Sequence, residues 1–211
     1  MPGIIAAGGA AAALFASALS VQSAPVVEET PSVTAEVEVV TVNGSGCPSG
    51  TARVDVASDN ASFSVTYSDY IAQVGLGGEP IDFRKNCQLS LQIDVPSGYT
   101  YAVLGLEHRG YTFLKKGATG LQRTEYYFQG DSDGVVHSRS FTGPYQGSWR
   151  TTDSDSDDVL WAPCGDERNL NINTELRVNG GSSDNTTSPS FLAMRSSGLP
   201  DAAYQIAYKK C

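Results

Sequence analysis

The chain has 211 residues, 40% of them hydrophobic and 18% charged, which suits one domain with a real core and excludes general disorder. A formal net charge of −9 argues against nucleic acid as a partner, because phosphate binding needs clustered Lys and Arg. The acidic balance by itself speaks for solubility and for no particular reaction.

Residues 1–23 carry no charged side chain, and Gly3 to Val21 is dominated by Ala, Ile, Leu and Gly. With small residues at Ser23 and Ala24, this reads as a secretory signal peptide over residues 1–23. A membrane anchor is disfavoured, since the run is weakly hydrophobic and no basic stop-transfer flank follows. The mature chain is therefore expected to be extracellular and free of the membrane. Residues 24–36, acidic and containing Pro25 and Pro31, read as a flexible leader before a domain over residues 37–211.

Val37 to Val42 reads as a first strand, ended by Asn43-Gly44-Ser45-Gly46. Ala52, Val54 and Val56 alternate with polar residues, Ser58-Asp59-Asn60 turns, and Phe63, Val65 and Tyr67 alternate again: a hairpin. Asp69 to Val74 carries the one hint of helix, and Gly75, Gly77, Gly78 and Pro80 mark a loop.

From Cys87 to Val95 the two-residue period is unbroken, Cys87, Leu89, Leu91, Ile93 and Val95 against Gln88, Ser90, Gln92 and Asp94. That is a strand with one face buried. Pro96-Ser97-Gly98 turns, Tyr99 to Glu107 extends, and Tyr111 to Leu114 follows Gly110 as a separate run. Further strands are expected at Arg123–Phe128, Val135–Thr142 and, weakened by Gly147, Tyr145–Thr152. The run 151–158 reads as a solvated Ser/Asp loop. Leu170, Ile172, Leu176 and Val178 alternate cleanly, residues 179–190 form a mobile loop, and Tyr204, Ile206 and Tyr208 close the chain before Cys211. About ten short strands with almost no helical period indicate an all-β fold, a single antiparallel β-sandwich-like domain.

Four cysteines and no Cys-x-x-Cys spacing point to disulfides rather than to zinc, and four allow three pairings. Cys47 and Cys87 each border a strand of the N-terminal half, while Cys211 ends the last strand, where Cys164 can pin it. The expected pairs are Cys47–Cys87 and Cys164–Cys211. Sequons at Asn43, Asn60 and Asn185 are glycosylation sites if the chain is exported.

Several phrases carry a family resemblance: Gly44-Ser45-Gly46-Cys47-Pro48, Arg84-Lys85-Asn86-Cys87-Gln88-Leu89, Pro96-Ser97-Gly98 and Arg109-Gly110-Tyr111. Tyr126-Tyr127-Phe128-Gln129-Gly130, Pro163-Cys164-Gly165, Leu170-Asn171-Ile172-Asn173-Thr174 and the terminal Lys209-Lys210-Cys211 continue it. Together, over residues 37–211, they resemble the secreted fungal and actinobacterial family known as domain of unknown function 4360. The resemblance implies export, four cysteines and β structure, and it brings no catalytic residue.

The residues suggest little chemistry. Neither histidine, His108 at a strand end or His137, has a nucleophile in view, and a surface position is expected for both. Glu107, Glu125, Glu175 and Asp94 are the candidates for a glycosidase pair, but solvated strand faces explain them equally. Asp153-Ser154-Asp155-Ser156-Asp157-Asp158 invites a calcium reading and fails the EF-hand pattern, with Asp158 in place of glycine and Cys164 in place of glutamate.

Aromatic residues are the more promising class for recognition: Tyr99 with Tyr101, Tyr111 with Phe113, Trp149, Trp161 and the pair Tyr126-Tyr127. The expectation is a secreted, non-enzymatic binding protein without cofactor or metal. Its partner would be an extracellular protein, as for a fungal effector or cell-surface protein, or alternatively a wall polysaccharide, bound or weakly hydrolysed. The expected contact region is the Gly75–Lys85 loop together with Thr151–Trp161.

Overall fold

The computed structural model describes residues 35–131, 133–153, 159–195 and 199–211. The expected signal peptide, most of the expected leader and the acidic run beyond Asp153 lie outside the described residues.

Among the described residues the chain is all β. The strands are β1 (Glu36–Asn43), β2 (Ala52–Val56), β3 (Ser62–Tyr67), β4 (Ile71–Val74), β5 (Arg84–Asp94) and β6 (Tyr99–Leu114). They continue with β7 (Thr119–Phe128), β8 (Val135–Thr142), β9 (Tyr145–Asp153), β10 (Leu170–Asn179), β11 (Ser190–Ala193) and β12 (Ala202–Lys210). One antiparallel sheet has the order β1-β5-β10-β7-β8. The other runs β2-β3-β12-β6-β11-β4, with β9 on the free side of β6.

The strongest alternations form the floor of the core. Cys87, Leu89, Leu91 and Ile93 of β5 are buried, as are Leu170, Ile172, Leu176 and Val178 of β10 beside them. They face Phe63, Val65, Tyr101, Val103, Tyr204 and Ile206 of the second sheet within one continuous core. The disulfides close Cys47–Cys87 and Cys164–Cys211, tying the first loop to β5 and the approach to β10 to the end of β12.

β6 is the long strand that both wings of its sheet share. Its first half pairs with β12 and its second with β11, while β9 runs along the other edge. Opposite the step from Gln205 to Ile206 the register shifts, leaving Leu104 over as a bulge. One extra residue turns every later side chain to the other face. Tyr101 and Val103 point inward before the bulge; Leu106, His108, Thr112 and Leu114 are buried after it.

Three local expectations are corrected. Asp69–Val74 holds no helix: Ile71–Val74 is β4, an edge strand whose conformation comes from pairing with β11. Gly110 does not divide Tyr99–Glu107 from Tyr111–Leu114; it lies inside β6, where a Cβ would meet the Ala193 carbonyl and the Trp149 ring. The stretch after residue 190, not assigned by pattern, supplies β11 between β4 and β6.

Candidate functional site

Beyond the bulge, β6 presents Glu107, Arg109, Tyr111 and Phe113 on the outer face of the seven-stranded sheet. β9 lies opposite with Thr152, Arg150, Ser148 and Gln146, and β11 sets Phe191 against Phe113. The rings of Tyr111 and Phe191 stack with centroids 6.1 Å apart, and Phe113 lies 6.2 Å from Phe191. This half-buried row borders a shallow trough of about 630 Å³ lined by Arg109, Arg150, Arg195 and Leu199. Arg109 and Arg150 both pair with the Glu107 carboxylate. Three guanidiniums against one carboxylate leave this patch cationic on an acidic chain.

The inner side of the same strands corrects the reading of both histidines as surface groups. His108 is fully buried, because the bulge turns it inward. Its Nε2 lies 3.1 Å from Thr124 Oγ1 and 3.4 Å from the Tyr204 hydroxyl, while Nδ1 has no hydrogen-bond partner among the described residues. Burial, helped by the neighbouring His137, pushes its pKa down to about 3, so it is a neutral core group. His137 is half-buried: its ring stacks on Tyr126 at 5.9 Å, and its Nδ1 pairs with the Asp153 carboxylate across the gap between β8 and β9.

Of the expected carboxylate candidates, only Glu107 lies on the seven-stranded sheet; Asp94, Glu125 and Glu175 share the five-stranded one. Glu125 and Glu175 are diagonal neighbours on the adjacent strands β7 and β10. Each is held by arginine, Glu125 by Arg123 at 2.9 Å and Glu175 between Arg84 and Arg177. Asp94 ends β5 and accepts from Gln92. Glu107 shares a concavity with Asp153, which the sequence did not single out for this role. Both are already engaged in ion pairs. Among the described residues no group of three or more His, Cys, Asp or Glu is arranged to hold a metal ion.

Among the described residues, the two halves of the expected contact region lie at opposite margins of one sheet. Gly75–Lys85 follows β4, at one margin of its sheet, and Thr151–Asp153 belongs to β9, at the other. Within the first loop Leu76, Ile81 and Phe83 are exposed. Trp161 bridges to Ala102 and carries the Lys209 ammonium 3.9 Å above its ring. Tyr101 and Trp149 are core residues, Tyr101 edge-on to Phe128 and Trp149 packed on Phe141.

Phe191, Arg150 and Arg195 escaped the sequence reading. The signal available was Phe191-Leu192, an apolar pair at the end of a Ser/Asn-rich stretch, which only a partner strand could identify as β11.

The chain is similar to a protein of Arthroderma benhamiae named an uncharacterized secreted protein, with 34% identity over 140 residues. That match covers 66% of this chain and 57% of the relative, so the chain spans little more than half of the relative's length. Over residues 34–211, which hold every strand and both disulfides described above, the chain belongs to the family described as Domain of unknown function (DUF4360).

Proposed function

We propose that this is a secreted, extracellular binding protein that catalyses nothing, and that it holds a wall polysaccharide on the outer face of the seven-stranded sheet. The observation that carries this reading is the row Tyr111–Phe191–Phe113 beside an arginine-walled trough. Sugar rings stack on aromatic faces, and a row of rings on a rigid sheet offers successive stacking positions without a loop to order. The uncharged segment at residues 1–23, the two disulfides and the secreted relative support export. Of the three sequons, Asn43 is exposed at the end of β1 and suits a glycan. Asn185 already uses both ends of its amide, towards Ser183 and Ser190.

A second reading, an extracellular protein partner such as an effector would have, rests on Leu76, Ile81 and Phe83. Three exposed apolar side chains in one loop are a protein-docking feature rather than a sugar platform.

Titration of the mature protein against a polysaccharide panel, with Tyr111→Ala and Phe191→Ala alongside, tests the first reading. Binding that weakens about ten-fold or more in either variant is expected. Binding that survives both changes and disappears with Ile81→Asp moves the site to the loop. Hydrolysis that is lost on Glu107→Gln, with the fold intact, overturns the non-catalytic reading.

A further inference from the structure

The sandwich interior changes character between β7–β8 and β6–β9. At inward positions where β5 and β10 place leucine and isoleucine, these strands place Gln122, Thr124, His108 and Thr151. They form a chain across the two sheets: Thr151 Oγ1 donates to Gln122 Oε1 at 3.5 Å, Gln122 Nε2 donates to Thr124 Oγ1 at 2.8 Å, and Thr124 meets His108. Buried polar groups cost free energy unless they are fully paired, so such a layer is a poor way to fill a core.

The layer is not closed. Because β8 pairs into one sheet and β9 into the other, their edges splay, leaving a cavity of about 270 Å³. Its walls include Gln122, Thr151, Arg139, Arg150 and the His137–Asp153 pair. Arg139 has no ion-pair partner among the described residues, whereas Arg150 is held by Glu107.

We propose that this inter-sheet cleft is a binding site for a monosaccharide-sized sugar acid. The Arg139 guanidinium supplies the planar fork that takes a carboxylate through two parallel hydrogen bonds. Thr151 and Gln122 share only a long hydrogen bond, so both retain capacity for ligand hydroxyls, and the Asp153 carboxylate accepts another. The volume lies just below the range of drug-sized pockets, which limits the ligand to about one sugar ring. The inference does not depend on the aromatic row, which faces the opposite side of β6.

Glucuronate and glucose, which share a ring and differ in carboxylate against hydroxymethyl, make the test. Calorimetric titration of the intact mature protein is expected to show saturable glucuronate binding, with glucose at least about ten-fold weaker. Arg139→Ala, an exposed edge position, is expected to weaken glucuronate about ten-fold with melting unchanged, and Arg139→Lys to restore only part of it. Glucuronate binding that is lost in Tyr111→Ala while Arg139→Ala retains it would place the sugar acid on the aromatic row and overturn the proposal. Equal binding of the two sugars, no saturable glucuronate binding, or full affinity in Arg139→Ala each overturns the proposal.

Discussion

The hydroxyl of Tyr70 donates to the backbone carbonyl of Thr174 at 2.8 Å, joining the chain just before β4 to β10 in the opposite sheet. Tyr70 is 1% exposed, and its ring lies where a Cβ on Gly46 would be, 2.1 Å away. One loop glycine thus makes room for a ring that fastens the two layers. Tyr70→Phe keeps the ring and removes the hydrogen bond between the layers, so a loss of about 0.5–1.5 kcal/mol is expected in denaturant unfolding. An unchanged midpoint would show that the clasp contributes nothing.

His108 sets a pH dependence. Its folded pKa, about 3, lies below its unfolded value of 6.5, so below pH 6.5 the unfolded chain binds a proton that the folded chain refuses. Stability is fully present above pH 6.5 and declines by about 1.4 kcal/mol for each pH unit down to about pH 4. Asp82 and Asp184, whose carboxyls are held below 3.8 chiefly by hydrogen bonds to Lys85 and Thr186, lose their contribution only at lower pH. A His108→Gln variant should flatten the slope between pH 6.5 and 4, as read by melting at fixed ionic strength. A slope identical to that of the parent refutes the assignment.

Gly110→Ala is expected to cost about 3 kcal/mol. The new methyl would sit 2.0 Å from the Ala193 carbonyl oxygen, a backbone atom that cannot rotate away, and 2.4 Å from the Trp149 ring. Thermal unfolding measures the cost. Tryptophan fluorescence should shift as Trp149 is pushed off its seat.

Removing the second disulfide with Cys164→Ser and Cys211→Ser should cost about 4 kcal/mol, because the bridge closes a separation of 47 residues in the unfolded chain. Cys211 also donates its backbone N–H to Gly98 at 2.8 Å, so the end of β12 keeps one tether. Equilibrium unfolding of the double variant under oxidising conditions gives the value.

The central strands were legible because their alternation is a local property. Leu89, Leu91, Leu170 and Ile172 must share one side of their strands whatever pairs beside them, and all four are buried. β4 and β11 were illegible for the converse reason. Each has four residues: β4 is a strand because β11 aligns it, and β11 because β4 and β6 align it from either side. The histidine at position 108 reads as a strand end because Gly110 looks like a break, whereas β6 runs on to Leu114, and parity alone would not place it inside either. Continuing the inward parity of Tyr101 and Val103 puts 107 inside and 108 outside, and nothing in the local sequence announces that Leu104 is skipped. The aromatic row was half visible as Tyr111 and Phe113; Phe191 completes it from a distant strand. The polar interior at Gln122 and Thr124 was hidden, since polar residues at alternate positions read as a solvated face until the opposite sheet is known.

The skipped residue has a consequence for how this chain can vary. Leu104 is 41% exposed, and a polar side chain there disturbs nothing packed. Its deletion is another matter. Losing one residue between Val103 and Gly105 would rotate the remaining ten residues of β6 by half a turn, exporting Leu106, His108 and Leu114 and driving Glu107, Arg109 and Tyr111 into the core. At this point the chain is tolerant of substitution and intolerant of insertion or deletion, so chain length here, rather than side-chain identity, decides which face of β6 meets the outside.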